Sequence, residues 1–321
     1  MQWRRVLMGG GAALGAAAAY NAMACHDVPP LANPVGGREG YFDWRGSRIA
    51  YTVRGSGSPV LLVHSIHASA SSYEWRNNVE ALARNHTVYT IDLLGFGRSS
   101  RPAARYSARL YIALLDDFAQ QVIGGPCTVV ANSLAAAYAI VLGARDPSSF
   151  PALILIEPIG LVRLNEGPVV VRDFARFAVD TPVIGTAFYN ALVSRRSIRL
   201  FLESVYADNG RVTREMVDYY FDTSHQPGAK HAPAAFIAQQ LNIDVRNALR
   251  RLIQPALLVW GEQAVQAPVE EIRGFLALKS DFEVAILDPA GDLPHDERAD
   301  EFNEIASAFL ARVTGGAPAA A

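Results

Sequence analysis

The stretch Thr128-Val-Val-Ala-Asn-Ser133-Leu-Ala-Ala-Ala-Tyr-Ala-Ile140 constrains the fold more than any other. A β-branched run stops at a small-residue turn, and helix formers follow without a spacer. β-Branched side chains suit a pleated strand, whereas alanine and leucine suit a helix. The stretch therefore reads as strand, sharp turn and helix, with the Ser133 hydroxyl at the turn. Small residues on both sides, Ala131 and Ala135, let strand and helix cross closely. From this stretch alone, a serine that caps a buried helix is an equal reading.

The surrounding pattern favours the turn. Buried parallel strands read as continuous apolar runs. Runs of this kind, or strand-like alternation, occur at Arg48–Val53, Val60–His64, Thr87–Ile91, Ala152–Ile156, Ala256–Trp260 and Phe282–Ile286. Helical spacing covers Glu74–Asn85, with Trp75, Val79 and Leu82 on one face, then Tyr111–Val122 and about Asp300–Val313. Strands alternating with helices give a mostly parallel sheet with right-handed crossovers. From Leu161 to about Arg250 the rhythm breaks into a largely helical, aromatic-rich segment, which reads as a cap inserted between two strands above a pocket. At 321 residues the chain is long enough for one large α/β domain.

Charge and cysteine content narrow the partners. Lys plus Arg count 29 and Asp plus Glu count 31, so nothing points to nucleic acid. Of the two cysteines, Cys127 begins the strand before Ser133 and Cys25 lies in a leader, which argues against a disulfide. No His/Cys/Asp/Glu spacing recommends a metal, and Gly95-Phe-Gly97 lacks the third glycine of a phosphate loop. Arg4-Arg5, an apolar Gly/Ala-rich stretch and Ala22-Met-Ala24 read as an export signal or membrane anchor over residues 1–25. The expectation is an exported or membrane-anchored protein of a bacterial cell envelope or periplasm, with possible membrane association through this segment. Residues 26–40 read as a linker, 41–313 as the domain with its cap at about 161–250, and 314–321 as a tail.

The order of elements from about Tyr41 to Val313 resembles the α/β-hydrolase fold. Four stretches carry the likeness: His64-Ser-Ile-His-Ala-Ser-Ala-Ser-Ser-Tyr-Glu-Trp75, Asp92-Leu-Leu-Gly-Phe-Gly-Arg-Ser99, the Ser133 elbow, and the late loops Trp260-Gly-Glu-Gln and Ala290-Gly-Asp-Leu-Pro-His295. The text is similar to the branch with pheophytinase-like and haloalkane-dehalogenase-like members. The resemblance implies Ser133 as nucleophile and the N–H groups of Ile66 and Leu134 as oxyanion donors. It implies an Asp where this chain has Ala264 and a His where it has Asp292. Three residues are candidates for the vacated roles. His295 follows in the same loop, and packing against the last helix is its competing reading. Asp292 could be the base only if burial lifts it above an ordinary ~3.9. Glu157, at the end of a strand, could orient a displaced histidine or simply cap before Pro158. His67 and Trp75 are the expected substrate contacts. Ile66 stands where dehalogenases have a halide-binding Asn, which argues against halide chemistry.

Two functions follow. One is hydrolysis of an ester or acyl compound, needing no cofactor, on a small apolar molecule held under the cap. The other is a catalytically inactive hydrolase-fold protein that binds such a molecule.

Overall fold

The computed structural model describes residues 14–24, 28–161 and 181–315. Most of the expected leader, Cys25, residues 162–180 of the expected cap and the end of the tail lie outside these. The eight-stranded sheet has the order β1-β2-β4-β3-β5-β6-β7-β8. β1 (Arg38–Trp44) and β2 (Ser47–Arg54) form an antiparallel hairpin, and β2 also runs antiparallel to β4 (His86–Ile91). β3 (Ser58–Val63), β4, β5 (Thr128–Asn132), β6 (Leu153–Ile156), β7 (Ala256–Gly261) and β8 (Glu283–Leu287) run parallel. The sheet is the one the apolar runs imply, except that β1 begins within the stretch read as linker. As an edge strand it buries only Phe42 and Trp44, so its pattern is weak.

In chain order the helices are α1 (residues 14–24), α2 (Val79–Leu82), α3 (Ala108–Phe118) and α4 (Ser133–Arg145). The expected helix over 74–85 is instead a 3₁₀ turn, Ser72–Trp75, followed by the short α2. Asn77 and Asn78 separate the two, and asparagine competes with helix hydrogen bonding; the Asn78 amide donates to the His295 carbonyl at 2.8 Å. Between β6 and β7 lie α5 (Ile184–Leu192), α6 (Arg195–Val205), α7 (Arg214–Ser224), α8 (His231–Ile237) and α9 (Arg246–Leu249). These carry their own apolar cluster, with Tyr189, Leu202, Met216 and Tyr220 buried in it. α10 (Ile272–Leu278), α11 (Pro294–Glu297) and α12 (Ala299–Thr314) complete the chain.

α4 is buried almost throughout, which explains why it lacks an apolar stripe. Its run of alanines lies flat against the sheet, and the Tyr138 hydroxyl donates to the Leu241 carbonyl at 2.8 Å. The opposite face of the sheet packs on Trp75, α2 and α12. α1 docks on the cap segment: the Asn21 amide donates to the Val183 carbonyl at 2.8 Å and accepts from the Asn190 amide at 3.0 Å. No helix among the described residues is long and apolar enough to cross a membrane.

The sheet order places the site. The chain runs outward from β3 to β4, then crosses back to β5 on the other side of β3. In open α/β sheets a crevice forms at such a reversal, beyond the carboxyl ends of the strands. Here the loops after β3 and β5 carry Ile66 and Ser133. Asp92, just after β4, braces this end. Its Oδ1 accepts the Ser72 N–H at 2.7 Å and its Oδ2 accepts the Arg98 N–H at 3.0 Å. Gly97 has φ +50, and a Cβ there would sit 2.3 Å from the Asp92 carboxyl. Gly97→Ala should therefore destabilise the protein by about 2 kcal/mol or more, read as a lower urea midpoint with an unchanged slope.

Candidate active site

β5 ends in extended backbone at Asn132, and Ser133 turns sharply with φ +55 before α4 begins. A non-glycine residue in this region costs on the order of 1–3 kcal/mol and persists only where its surroundings enforce it. Ala131 and Ala135 are both fully buried at this crossing. Leu134, in the first turn of α4, has an N–H with no partner inside its own helix. Ile66, Asn132 and Ser133 line one cavity of about 370 Å³ beneath the cap.

The enforcing contact is Glu74, which is 3% exposed. Its Oε2 accepts the Ser65 N–H at 3.0 Å and also the Ser65 hydroxyl, while its Oε1 accepts the Asn132 amide at 2.9 Å. One carboxylate thus fixes the residues immediately before Ile66 and before Ser133. Burial alone would raise its pKa, but His295, Ser65 and His64 outweigh burial and hold it below the ordinary range. His64 ties the same loop to β4. Its Nε2 accepts the Leu93 N–H at 3.1 Å, so Nδ1 carries the proton and donates to the Ser65 carbonyl at 2.6 Å.

His295, a candidate for approaching Ser133, is instead packed inward, as its competing reading had it. It is fully buried, with Nε2 3.3 Å from Glu74 Oε1, and its ring centroid is 4.6 Å from that of Trp75. It is not among the residues lining the cavity. α11 starts at Pro294 and turns the imidazole inward onto the Trp75–Phe302 core. Trp75, expected to touch substrate, is likewise 0% exposed and belongs to the core beneath the sheet.

Asp292 and Glu157 do reach the cavity. Asp292 Oδ1 accepts N–H groups from Val265, Gln266 and Ala267 at 3.1, 2.7 and 3.4 Å. The carboxylate therefore grips the loop that holds Ala264. Glu157 is 3% exposed, and its Oε1 accepts the Gly261 N–H at 3.0 Å. Burial, then the nearby Asp292 charge, holds its carboxyl well above the usual range against the pull of that N–H. Its acceptor bond is to backbone, and among the described residues no histidine is hydrogen-bonded to it.

His67 lines the cavity as expected. Its ring stacks on Tyr220 with centroids 5.6 Å apart. Its Nδ1 accepts the Ser69 N–H at 3.2 Å, leaving Nε2 to carry the proton of the neutral ring. Burial pushes its pKa down to about 4, with Glu74 opposing and His64 assisting. At neutral pH it is an uncharged donor, with its basic nitrogen occupied. A second, more apolar cavity of about 250 Å³ shares His67, Phe201, Phe236 and Ile237 with the first and extends beneath α5 and α6 to Tyr189, Val193 and Ile198.

A profile of the alpha/beta hydrolase family matches residues 60–305, more than half of the chain. The chain belongs to the alpha/beta hydrolase family. Among curated relatives of this chain, 2-hydroxy-6-oxo-6-(2'-aminophenyl)hexa-2,4-dienoic acid hydrolase of Metapseudomonas resinovorans is 26% identical over 273 residues, covering 83% of this chain and 89% of the relative. A solved serine hydrolase involved in carbazole degradation superposes with a TM-score of 0.72 at 23% identity, covering 86% of this chain and all of that one. A membrane phospholipase A superposes with a TM-score of 0.70 at 23% identity over 97% of this chain and 98% of its own.

Glu74 and Asn132 were not singled out as functional in the sequence. The available signal was the single carboxylate, between Tyr73 and Trp75, in the stretch His64–Trp75. Two outcomes test this arrangement. Glu74→Gln should cost about 1–3 kcal/mol in urea unfolding, because it replaces a buried charged acceptor and strands its donors. For Glu157 the raised pKa means that the folded state holds its proton longer than the unfolded chain does. Its contribution is unaffected below the ordinary carboxylate range, and stability is lost as pH rises through the raised value. Glu157→Gln should therefore raise the melting temperature at pH 8, by roughly 2–4 °C for each kcal/mol recovered. The gain should vanish near pH 4; an equal difference at both pH values would contradict the assignment.

Proposed function

We propose that this hydrolase-family protein cleaves an ester or similar acyl compound through Ser133. The observation that carries the reading is the positive-φ serine at the strand–helix turn, opening onto the same cavity as Ile66. The Ser133 hydroxyl attacks the acyl carbon, and the N–H groups of Leu134 and Ile66 receive the developing oxyanion. The hydroxyl proton passes to the Asp292 carboxylate, which stands where the resemblance implies an imidazole. Asp292 returns that proton to the departing alkoxide as the ester C–O bond breaks; water, giving a proton to Asp292, then attacks the acyl-enzyme, and the intermediate collapses to the free acid as the Ser133 oxygen takes the proton back. A carboxylate whose Oδ1 already accepts three backbone N–H groups is a weaker base than an imidazole, so turnover should be slow. The apolar second cavity favours an acyl chain or ring as the bulk of the substrate. That the membrane phospholipase A aligns over nearly the whole chain supports membrane association through the N-terminal segment and a location in the cell envelope.

A fluorophosphonate probe should label the protein slowly, and Ser133→Ala should abolish labelling. The pair Ala264→Asp with Asp292→His should accelerate labelling by about 10²-fold or more, the usual worth of a positioned general base. Absence of labelling in folded protein would reject hydrolysis. It would favour the binding reading, to which the inward-turned His295 already lends weight. For localisation, removing residues 1–24 should shift the protein from the membrane to the soluble fraction on cell lysis.

A further inference from the structure

We propose that the cap rests one face on an anionic phospholipid bilayer, and that the apolar chamber takes its substrate, a lipid-dissolved ester, from that bilayer. The inference rests on the preceding reading and deepens it: the N-terminal segment supplies one membrane contact, and the cap supplies a second that sets the chamber at the lipid surface. The first observation is a patch. Ile184, Phe188, Leu192, Leu200, Phe201 and Ile237 are large apolar side chains of the cap, each 36–58% exposed. Single exposed apolar residues are ordinary, whereas a contiguous group marks an interaction surface. Leu192, Phe201 and Ile237 also wall the apolar chamber, so they form its rim. Ile184, Phe188 and Leu192 are spaced four apart on α5 and extend the patch along that helix. Leu200 adjoins Phe201 and projects from α6 on the side opposite the buried Ile198 and Leu202.

Charge and chain direction name the occupant. The first two turns of α6 carry Arg195, Arg196 and Arg199. Arg195 pairs with Asp218 and Arg199 with Glu203. Arg196 is exposed, has no carboxylate partner among the described residues, and stands one turn before the exposed Leu200. Arginine beside outward apolar side chains is the surface of a helix that lies on anionic lipid. The chain reaches the same side from its N-terminus. The Asn21 amide of α1 donates to the Val183 carbonyl, next to Ile184, and its side-chain oxygen accepts from Asn190. Leu14, Tyr20 and Met23 of α1 are exposed in turn, and the sequence before α1 contains Arg4-Arg5 and Val6-Leu-Met8. A protein seated on the patch would close the chamber at its rim. A bilayer covers the same apolar surface and also concentrates apolar solutes beside the rim. An ester dissolved there passes Phe201 and Ile237, which line both cavities, to reach Ser133.

The test reconstitutes the full-length protein on vesicles of phosphatidylcholine and phosphatidylglycerol, with a nitroxide label at one position. The label's collisions with oxygen, which concentrates in lipid, are compared with those with a water-soluble nickel chelate. The background is Cys25→Ser, and Cys127 is buried. Labels at Phe188→Cys and Leu200→Cys should collide mainly with oxygen. A label at Ala308→Cys, exposed on α12, which packs on the sheet, should collide mainly with nickel. Vesicle-bound protein whose labels at 188 and 200 meet mainly nickel would overturn the proposal. So would labels there that are shielded from both reagents, the mark of a second copy or another protein on the patch. A second measurement follows Ser133. Combining Phe188→Glu with Leu200→Glu should slow its labelling by a long-chain fluorophosphonate dissolved in the vesicles by about 10-fold or more, the worth of withdrawing a large apolar side chain from lipid. Labelling by a short, water-soluble fluorophosphonate should stay unchanged, and equal slowing of both probes would count against docking. Ser133→Ala should leave the label depths as they are, so loss of hydrolysis and loss of docking are separate results.

Discussion

The Glu74 carboxylate is the contact on which the site depends. It lies under the sheet's carboxyl end and accepts from Ser65 on one side and Asn132 on the other. Each donor precedes a site residue by one position. The strained backbone at Ser133 and the loop that carries Ile66 are thus referred to one buried charge. The charge is tolerated because it is satisfied, with two backbone-proximal donors, a hydroxyl and the His295 ring about it. This explains why His295 faces inward. A buried anion is a stronger attractor for an imidazole than an open cavity, and the Trp75 and Phe302 rings close the remaining sides.

The late loops show a second consequence of placing carboxylates in a closed space. Gly261 has no room for a side chain, since a Cβ would lie 2.1 Å from the Gly291 carbonyl, so the loops after β7 and β8 approach as bare backbone. Their N–H groups then need acceptors. Asp292 serves Val265 to Ala267, and Glu157 serves Gly261. With Asp292 engaged in this way, Ala264 beside it needs no polar side chain of its own. An acid at 264 would place a further carboxylate beside the loop that Asp292 grips.

The cap contributes the apolar part. α6 and α8, with Val193 just after α5, present Val193, Ile198, Phe201 and Phe236 to a chamber joined to the Ser133 cavity at His67. Stacking on Tyr220 and the Ser69 N–H hold that histidine in one tautomer. It marks the boundary between the polar and the apolar halves of the enclosed space. α1 docks on the same cap, so the N-terminal segment and the ligand chamber share one structural unit.

Local pattern decided most of the architecture. Buried parallel strands must be apolar on both faces, so six of the eight were legible from continuous or alternating runs. The edge strand β1, half exposed and following proline-rich text, was not. The elbow at Ser133 was legible because small residues and an abrupt strand-to-helix change of propensity coincide there. The roles of charged residues were not, because a side chain's partners lie far along the chain: Glu74 meets Asn132 and His295, and Asp292 meets Val265 to Ala267. Sequence proximity made His295 a natural stand-in three residues from Asp292, but Pro294 and the Glu74 charge turned it the other way. What the sequence by itself determined was the order of strands and helices and the place of the serine, since both follow from short-range periodicity. Which carboxylates share the cavity, and which histidine faces it, only the tertiary structure decided, because burial and electrostatic pairing exist only once distant loops converge.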